Sequence, residues 1–302
     1  MRIASMLSSA TEIVYALGLQ DHLVGISHEC DYPPQALRLP RLSRSRFDPA
    51  GLTSGQIDAE VRRCMVEYGS VYEIDVDALR RVRPDVILTQ AVCEVCAVPT
   101  GSVNDAVAAL SHPATVVSLD AHTLDQIFAT MRQVADAADE SGRGEEAVAR
   151  LTGRVDRVRE AVANRPRPRV LALEWLDPPF APGHWVPEMV TIAGGDNLVG
   201  TAGSHSLEIP WSQAEGLDPD CLLLVPCGYA MDRARQDADE ARARLRQLAA
   251  PAIDAGRAAV GDSAYFSRSG PRVVEGIESL AAWLHPDAGL TAPPGRILES
   301  WQ

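Results

Sequence analysis

Four of the six cysteines follow short apolar runs that are typical of buried strands. Cys30 follows Leu23–Ile26, Cys93 and Cys96 follow Asp85–Leu88, and Cys227 follows Leu222–Val225. Ligands of open α/β sheets bind beyond the carboxyl ends of the strands, so we expect these thiols to face one cleft. Adjacent parallel strands lie about 4.8 Å apart, and we expect Cys93 and Cys96 to lie near Cys30 on neighbouring strand ends. Thiolates and imidazoles bind zinc, and thiolates bind iron–sulfur clusters. We therefore predict a metal site formed by Cys30, Cys93, Cys96, Cys227 and His28, with His184 as a second candidate imidazole.

Aromatic side chains are scarce, at 5% of the chain, yet a group of them falls in predicted loops of the second half. The group consists of Trp175, Phe180, Trp185, Trp211, Tyr265 and Phe266. Core packing would spread such residues over helices and strands, so we interpret them as the wall of a pocket for a large, flat ligand such as a corrin or porphyrin. Arg268 and Arg272 flank a predicted helix start, where an anionic group of the ligand would bind. The alternative for Arg272 is a structural ion pair.

Other interpretations of the cysteines stay open. One thiolate could bind the metal of a corrinoid or haem. Free cysteines also pack as small apolar residues, which is the interpretation that suits Cys64 and Cys221. A redox dithiol is less favoured, because the charge of Glu94 between Cys93 and Cys96 opposes a thiolate.

The composition excludes several classes of protein. A net charge of −13 provides no basic surface for nucleic acid. Lysine is absent, which excludes a Schiff-base lysine and a Walker A lysine. No GxSxG or HExxH motif is present, and a loop histidine such as His184 is more typical of a polar wall or a ligand than of an acid–base catalyst. The lack of an apolar leader or membrane-spanning stretch predicts a cytoplasmic protein without membrane insertion.

Strand-like runs alternate with helical patterns in both halves, which predicts two α/β lobes with parallel sheets and flanking helices. Apolar residues spaced by three and four predict one helix over Glu145–Ala163, about 28 Å long, that joins the lobes. We assign 1–143 to an N-terminal binding lobe, 144–165 to the bridging helix and 166–302 to a C-terminal binding lobe.

Six segments spread over the chain carry a resemblance to a known family. They are SHECDYPPQA at 27–36, RPDVIL at 83–88, EWLDPPF at 174–180, AGGDNL at 193–198, IPW at 209–211 and AYFSRSGPR at 264–272. In these segments and their order the chain resembles the cobalamin- and siderophore-type substrate-binding proteins of ABC importers.

The resemblance implies two lobes bridged by one helix, little hinge motion, and a ligand between the lobes. By position, it implies ligand contacts from Asp31, Tyr32, Gln90, Trp175, Phe180, Trp211, Phe266 and Arg272. The pair Cys93 and Cys96 departs from the pattern of the cobalamin-binding member, as does the lack of an export signal.

Our hypothesis is a protein that holds cobalamin or a related corrinoid in the interlobe cleft, with an ABC importer or a cofactor-delivery protein as its partner. Two alternatives use the same fold with the cysteines in the cleft. One is a cytoplasmic zinc or iron–sulfur protein, and the other is an enzyme that modifies a bound cofactor.

Overall fold

The first lobe contains a parallel sheet of four short strands. The computed structural model describes residues 1–90, 103, 106–108, 110 and 112–302. In this part the strands are β1 (Ile3–Ser5), β2 (Leu23–Gly25), β5 (Val86–Thr89) and β6 (Thr115–Ser118), in the order β2-β1-β5-β6. A separate antiparallel pair is formed by β3 (Ser43–Ser45) and β4 (Tyr72–Ile74). The helices are α1 (Ser8–Ala16), α2 (Ser54–Tyr68), α3 (Val76–Val82) and α4 (Leu124–Ala137). Every residue of β5 is buried, as a strand in the middle of a parallel sheet requires.

The strand order corrects one expectation from the sequence. β1 lies between β2, which precedes Cys30, and β5, which precedes Cys93 and Cys96. The two strand ends are therefore separated by two strand spacings, about 9.6 Å, rather than by one. Because β1 lies between two other strands, all three of its residues are buried, and these residues are small or apolar.

The second lobe contains a five-stranded sheet. Its order is β10 (Asp196–Asn197), β7 (Arg169–Leu173), β12 (Cys221–Leu224), β13 (Ala258–Gly261) and β14 (Leu298–Ser300). The sheet is parallel except for β14, which pairs antiparallel with β13. A small antiparallel sheet, not expected from the sequence, contains β8 (Trp175–Leu176), β9 (Pro179–Ala181) and β11 (Leu207–Glu208). It follows β7 directly and forms one lip of the space between the lobes.

The two lobes are joined by one continuous helix, α5 (Ser141–Val162), as the sequence predicts. Its 22 residues span about 33 Å. The helix begins at Ser141, earlier than expected, and includes three glycines, Gly142, Gly144 and Gly153. A Cβ on Gly144 would lie 2.8 Å from the Ala135 Cβ, so this glycine lets α5 pack closely on α4.

The helices of the second lobe are α6 (Val186–Ile192), α7 (Trp211–Ala214), α8 (Met231–Glu240), α9 (Arg242–Asp254), α10 (Ser263–Phe266) and α11 (Val273–Leu284). The buried stripe of α5, including Leu151 and Val155, packs against α4 of the first lobe and α11 of the second. One cluster of buried apolar side chains consequently runs from the first lobe through α5 into the second. No helix in the described ranges has the length and apolar character needed to cross a bilayer.

Candidate ligand-binding cleft

A cavity of about 900 Å³ lies between the lobes. It is lined by segments that follow strands of both sheets: Leu7–Ser9 after β1, Gln90 after β5, Ala121 after β6, Trp175 after β7, and Cys227–Ala230 after β12. The carboxyl ends of the two sheets thus face the same space, as expected for ligand sites of open parallel sheets. The volume is near the upper end of the range of about 300–1,000 Å³ for small-molecule sites.

Four of the predicted aromatic residues border this cavity: Trp175, Phe180, Trp185 and Phe266. The ring of Phe266 is 0% exposed and packs in the core beside Gly261, so Trp175 and Phe180 present the more accessible aromatic surface. Trp185 is held in place because its indole N–H donates to the carbonyl oxygen of Phe266 at 2.7 Å. The structure adds aromatic residues that the sequence did not single out, namely Phe47, Tyr72 and Tyr229. The rings of Trp175 and Tyr229 are 4.9 Å apart at their centroids, and together they form one continuous apolar wall.

Two predicted aromatic residues do not line the cavity within the described part of the chain. Trp211 begins the short helix α7, packs on the core of the second lobe, and lies under the guanidinium of Arg244. Tyr265 stacks on Arg272, with 4.8 Å between the guanidinium carbon and the ring centroid.

A buried ion-pair network joins the lobes on one side of the cleft. Glu12 of α1 accepts from Arg272 Nε at 2.8 Å and from Arg268 Nη1 at 3.2 Å. Arg268 also forms a two-pronged pair with Asp31, and Arg272 lies over the ring of Tyr32. Burial acts to raise the pKa of Asp31, but the hydrogen bonds and the charge of Arg268 outweigh it and lower the pKa.

Of these predicted ligand contacts, only Arg268 lines the cavity in the part of the chain that is described; Asp31, Tyr32 and Arg272 do not. The structure therefore shows the ion pair that was the alternative interpretation of Arg272. Glu12, the centre of the network, was not predicted to be important, because its partners lie more than 250 residues away in the sequence.

A second group of contacts joins the lobes through the start of α2 and the loop before it. The Ser54 hydroxyl lies 3.0 Å from the Tyr229 hydroxyl and donates to the carboxylate of Asp237. The carbonyl oxygen of Leu52 accepts from Arg233 at 2.9 Å. Burial raises the pKa of Asp237.

The predicted cysteine site is not assembled among the described residues. Cys93 and Cys96 lie outside them. Cys30 is 1% exposed, its sulfur lies 3.0 Å from the Thr11 hydroxyl oxygen, and burial raises its pKa to about 11, which disfavours a thiolate. Cys227 lines the cavity. His28 is paired with Ser43, with 2.9 Å between its Nδ1 and the hydroxyl oxygen. Cys64 and Cys221 are fully buried, as the packing interpretation expects.

Three histidines form a cluster of which the sequence analysis named only His184. His122, His184 and His205 can each offer a ring nitrogen such that all three atoms lie within 4.8 Å of one another. Among the described residues, this is the one group of three or more histidine, cysteine or acidic side chains that could hold a metal ion. Burial lowers the pKa of His184 to about 4, and the positive charges that His122 and His205 carry when protonated act in the same direction. The three come from separate loops, so no local spacing in the sequence indicates them.

Glu174, at the end of β7, is an ionisable group of the cleft wall. Its carboxylate accepts from the Ser206 hydroxyl at 2.8 Å. Burial raises the pKa of Glu174 to about 7, although hydrogen bonds from Ser206 and the Gly183 amide act in the opposite direction. The cleft therefore carries a carboxyl group that is partly protonated near neutral pH.

The chain is similar to known proteins in sequence. A family model described as periplasmic binding protein matches residues 3–263. The vitamin B12-binding protein of Vibrio cholerae serotype O1 is 24% identical over 287 residues, which cover 94% of this chain and 88% of that protein. The vitamin B12-binding protein of Pectobacterium carotovorum is 24% identical over 293 residues, with the same coverage.

Solved structures share the fold. A periplasmic heme binding protein from Pseudomonas aeruginosa has a TM-score of 0.74 at 20% identity, covering 99% of this chain and 97% of that one. The periplasmic vitamin B12 binding protein of Vibrio cholerae has a TM-score of 0.69 at 21% identity, covering 94% of this chain and 96% of that one.

Proposed function

Because the chain belongs to the periplasmic binding protein family, we propose that it binds a corrinoid of the cobalamin type in the interlobe cleft. The observation that carries the proposal is the cavity of about 900 Å³ with an aromatic wall between the lobes. A macrocycle needs a wide, largely apolar slot, and the aromatic face of Trp175, which is backed by the buried ring of Tyr229, suits its flat surface. Relatives that match 94% of the chain and carry the name vitamin B12-binding protein support the same ligand class.

The charges of the wall favour a corrinoid over haem. Five acidic side chains line the described part of the cavity: Glu29, Asp48, Asp58, Glu174 and Glu240. Asp58 pairs with Arg62, and Glu174 is partly protonated near neutral pH, so the negative charge of the wall comes mainly from Glu29, Asp48 and Glu240. The guanidinium groups in that lining belong to Arg233 and Arg268, and both are already in use across the lobe interface. The two propionates of haem would bring further negative charge to this wall, and like charges repel. The neutral amide side chains of a corrinoid can instead donate to carboxylates and to groups such as Gln90.

The proposed partner is an ABC importer that receives the ligand, which is the partner class that the family resemblance implies. An importer takes its ligand from outside the cytoplasm, so this partner and the cytoplasmic location expected from the sequence exclude each other. Cell fractionation with an antibody against the protein decides between them, and a cytoplasmic protein would point to a cofactor-delivery protein as the partner instead.

Calorimetric titration of the purified protein with cyanocobalamin, and separately with haemin, tests the proposal. We expect one cyanocobalamin per chain and weaker binding of haemin. Trp175→Ala should weaken cyanocobalamin binding by about 10- to 100-fold, because it removes the ring that stacks on the ligand, which corresponds to about 1.4–2.8 kcal/mol.

Trp211→Ala is the matched control. Trp211 does not line the described cavity, so the dissociation constant of this variant for cyanocobalamin, counted per folded molecule, should be within about twofold of the wild-type value. Absence of cyanocobalamin binding, a clear preference for haemin, or equal losses in the two variants would each contradict the proposal.

A further inference from the structure

The three-histidine cluster of His122, His184 and His205 joins the lobes at the rim of the cleft. His122 precedes α4 in the first lobe, whereas His184 and His205 come from loops of the second lobe before α6 and β11. His184 and His205 also line the cavity. No contact of the proposed corrinoid site requires three imidazoles at one point, so the cluster needs its own explanation.

The spacing of the rings matches that of imidazoles bound to one ion. Zinc binds imidazole nitrogens at about 2.0–2.1 Å in tetrahedral geometry, which places neighbouring nitrogens about 3.3 Å apart and ring centroids about 5.2 Å apart. The Nδ1 atoms of His122 and His184 are 3.2 Å apart. The three centroid distances are 5.2, 5.2 and 5.4 Å. The ring centroids thus form a nearly equilateral triangle of the size that a shared ion requires, whereas the three ring nitrogens lie within 4.8 Å of one another and must draw closer to reach the spacing of about 3.3 Å.

The backbone holds two of the histidines together. His184 has a φ of 51°, in the left-handed region that non-glycine residues rarely adopt. Its amide donates to the Ser204 carbonyl at 2.6 Å, and its carbonyl accepts from the Gly203 amide at 2.8 Å. A Cβ on Gly183 would lie 2.4 Å from the backbone carbon of His205, so only glycine permits this approach of the two loops.

The third histidine is positioned from the first lobe. The His122 amide donates to the Gln126 side chain at 2.6 Å, and Thr123 caps α4 through the amide of the same Gln126. The first turn of α4 is also tied to the second lobe, because the amide of Leu124 donates to the Glu188 carboxylate at 2.9 Å. His205 is exposed and can close the remaining gap by a change of rotamer, whereas His122 and His184 are half-buried.

From this geometry we propose that His122, His184 and His205 bind one divalent transition-metal ion of the zinc class, and that the ion links the two lobes at the cleft rim. Imidazole nitrogen is a preferred ligand of Zn²⁺, and three protein ligands leave a fourth position for water. One ligand comes from the first lobe and two from the second, so the ion fixes the separation of the lobes. The site stands on these three side chains and does not depend on which macrocycle occupies the cleft.

Metal titration of the untagged, full-length protein tests the site. The protein is first freed of metal with a chelator and dialysed, and then titrated with Co²⁺ alone in the absence of any macrocycle. We expect one Co²⁺ per chain, with visible absorption bands of a tetrahedral ion, and displacement of the Co²⁺ by Zn²⁺. His122→Ala should weaken Co²⁺ binding by more than about 100-fold, since it removes a direct ligand. His22→Ala, which changes a histidine outside the cluster, should bind as the wild type does.

Two further measurements keep the test decisive. Zn²⁺ should raise the melting temperature of the wild type but not that of His122→Ala, and the metal-free melting temperatures should agree, which shows that the variant folds. If His122→Ala fails to fold, the variant of the exposed ligand, His205→Asn, replaces it. No saturable Co²⁺ binding, undiminished binding by the histidine variants, or a strong ultraviolet thiolate-to-cobalt band that is lost in Cys227→Ser would each overturn the proposal. Because cyanocobalamin binding is measured separately, failure of one proposal leaves the other standing.

Discussion

Replacing Glu12 with glutamine removes the charge at the centre of the ion-pair network between the lobes. The Glu12 side chain is 1% exposed and that of Arg272 is 10% exposed, so the charge of Arg272 would remain buried without a counter-ion. Removal of one partner from a buried pair costs about 3–5 kcal/mol. The rings of Tyr32 and Tyr265, which lie 4.3 and 4.8 Å from the guanidinium, offset about 1 kcal/mol of this cost.

We therefore expect Glu12→Gln to lower the free energy of unfolding by about 3 kcal/mol, from a loss of about 3–5 kcal/mol that the tyrosine rings partly offset. Urea unfolding followed by circular dichroism measures this as a lower midpoint at an unchanged slope. A single transition is expected, because one apolar core runs through both lobes.

The matched control is Asp31→Asn, which removes another carboxylate that pairs with Arg268. The Asp31 side chain is 62% exposed, and exposed pairs contribute about 0–1 kcal/mol. If Glu12→Gln and Asp31→Asn lower stability by equal amounts, burial of the pair does not decide its strength and our reasoning is refuted.

Two predictions concern the cleft wall and the bridging helix. The pKa of Glu174 is about 7 in the folded protein and near 4.5 when unfolded, so the folded state holds the proton more tightly and stability falls as pH rises from about 4.5 to 7. In Glu174→Gln, the loss of stability between pH 5 and pH 8 should be smaller than in the wild type by roughly 1–3 kcal/mol, measured from urea unfolding at both pH values. If the stability of both proteins falls equally with pH, the raised pKa of Glu174 is contradicted. Leu151→Ala in α5 should cost about 2–5 kcal/mol in thermal or urea unfolding, because the side chain is 4% exposed. Arg150→Ala, on the exposed face of α5, should change the free energy of unfolding by about 0.5 kcal/mol or less. If Arg150→Ala and Leu151→Ala lower stability equally, the apolar stripe of α5 does not form the core contact between the lobes.

The elements that local pattern determines were predictable from the sequence. The bridging helix was expected because apolar residues such as Leu151 and Val155 repeat at helical spacing, and that stripe is buried between the lobes. The strands at Val86–Thr89 and Cys221–Leu224 are unbroken apolar runs, which is typical of parallel strands covered on both faces. Trp175 and Phe180 were predicted to line a pocket because scarce aromatic residues gather in predicted loops of the second half; they line the cavity, but from the short strands β8 and β9.

The features that depend on pairing between distant residues were not predictable in this way. No sequence pattern within these strands indicates that β1 lies between β2 and β5. The expected approach of Cys30 to the loop after β5 therefore rested on an assumed strand order. Glu12 and Arg272 are 260 positions apart, and each alone looks like an ordinary helix residue. The histidine cluster combines loops that are close only because glycine at 183 lets two backbones touch.

The contacts between the lobes explain how a chain with few aromatic residues can form a selective site. The buried network around Glu12, the contacts of Ser54 and Leu52, and the histidine rim join the lobes at separate places around the cleft, while α5 joins them through the core. We expect these contacts to hold the walls at a fixed distance before any ligand arrives. A preformed cleft would spare the ligand the cost of ordering the protein, so fewer stacked rings would be needed for affinity. A buried ion pair adds little net stability, but its fixed geometry sets the relative orientation of two surfaces. Its place at this interface, rather than inside either lobe, is consistent with that role.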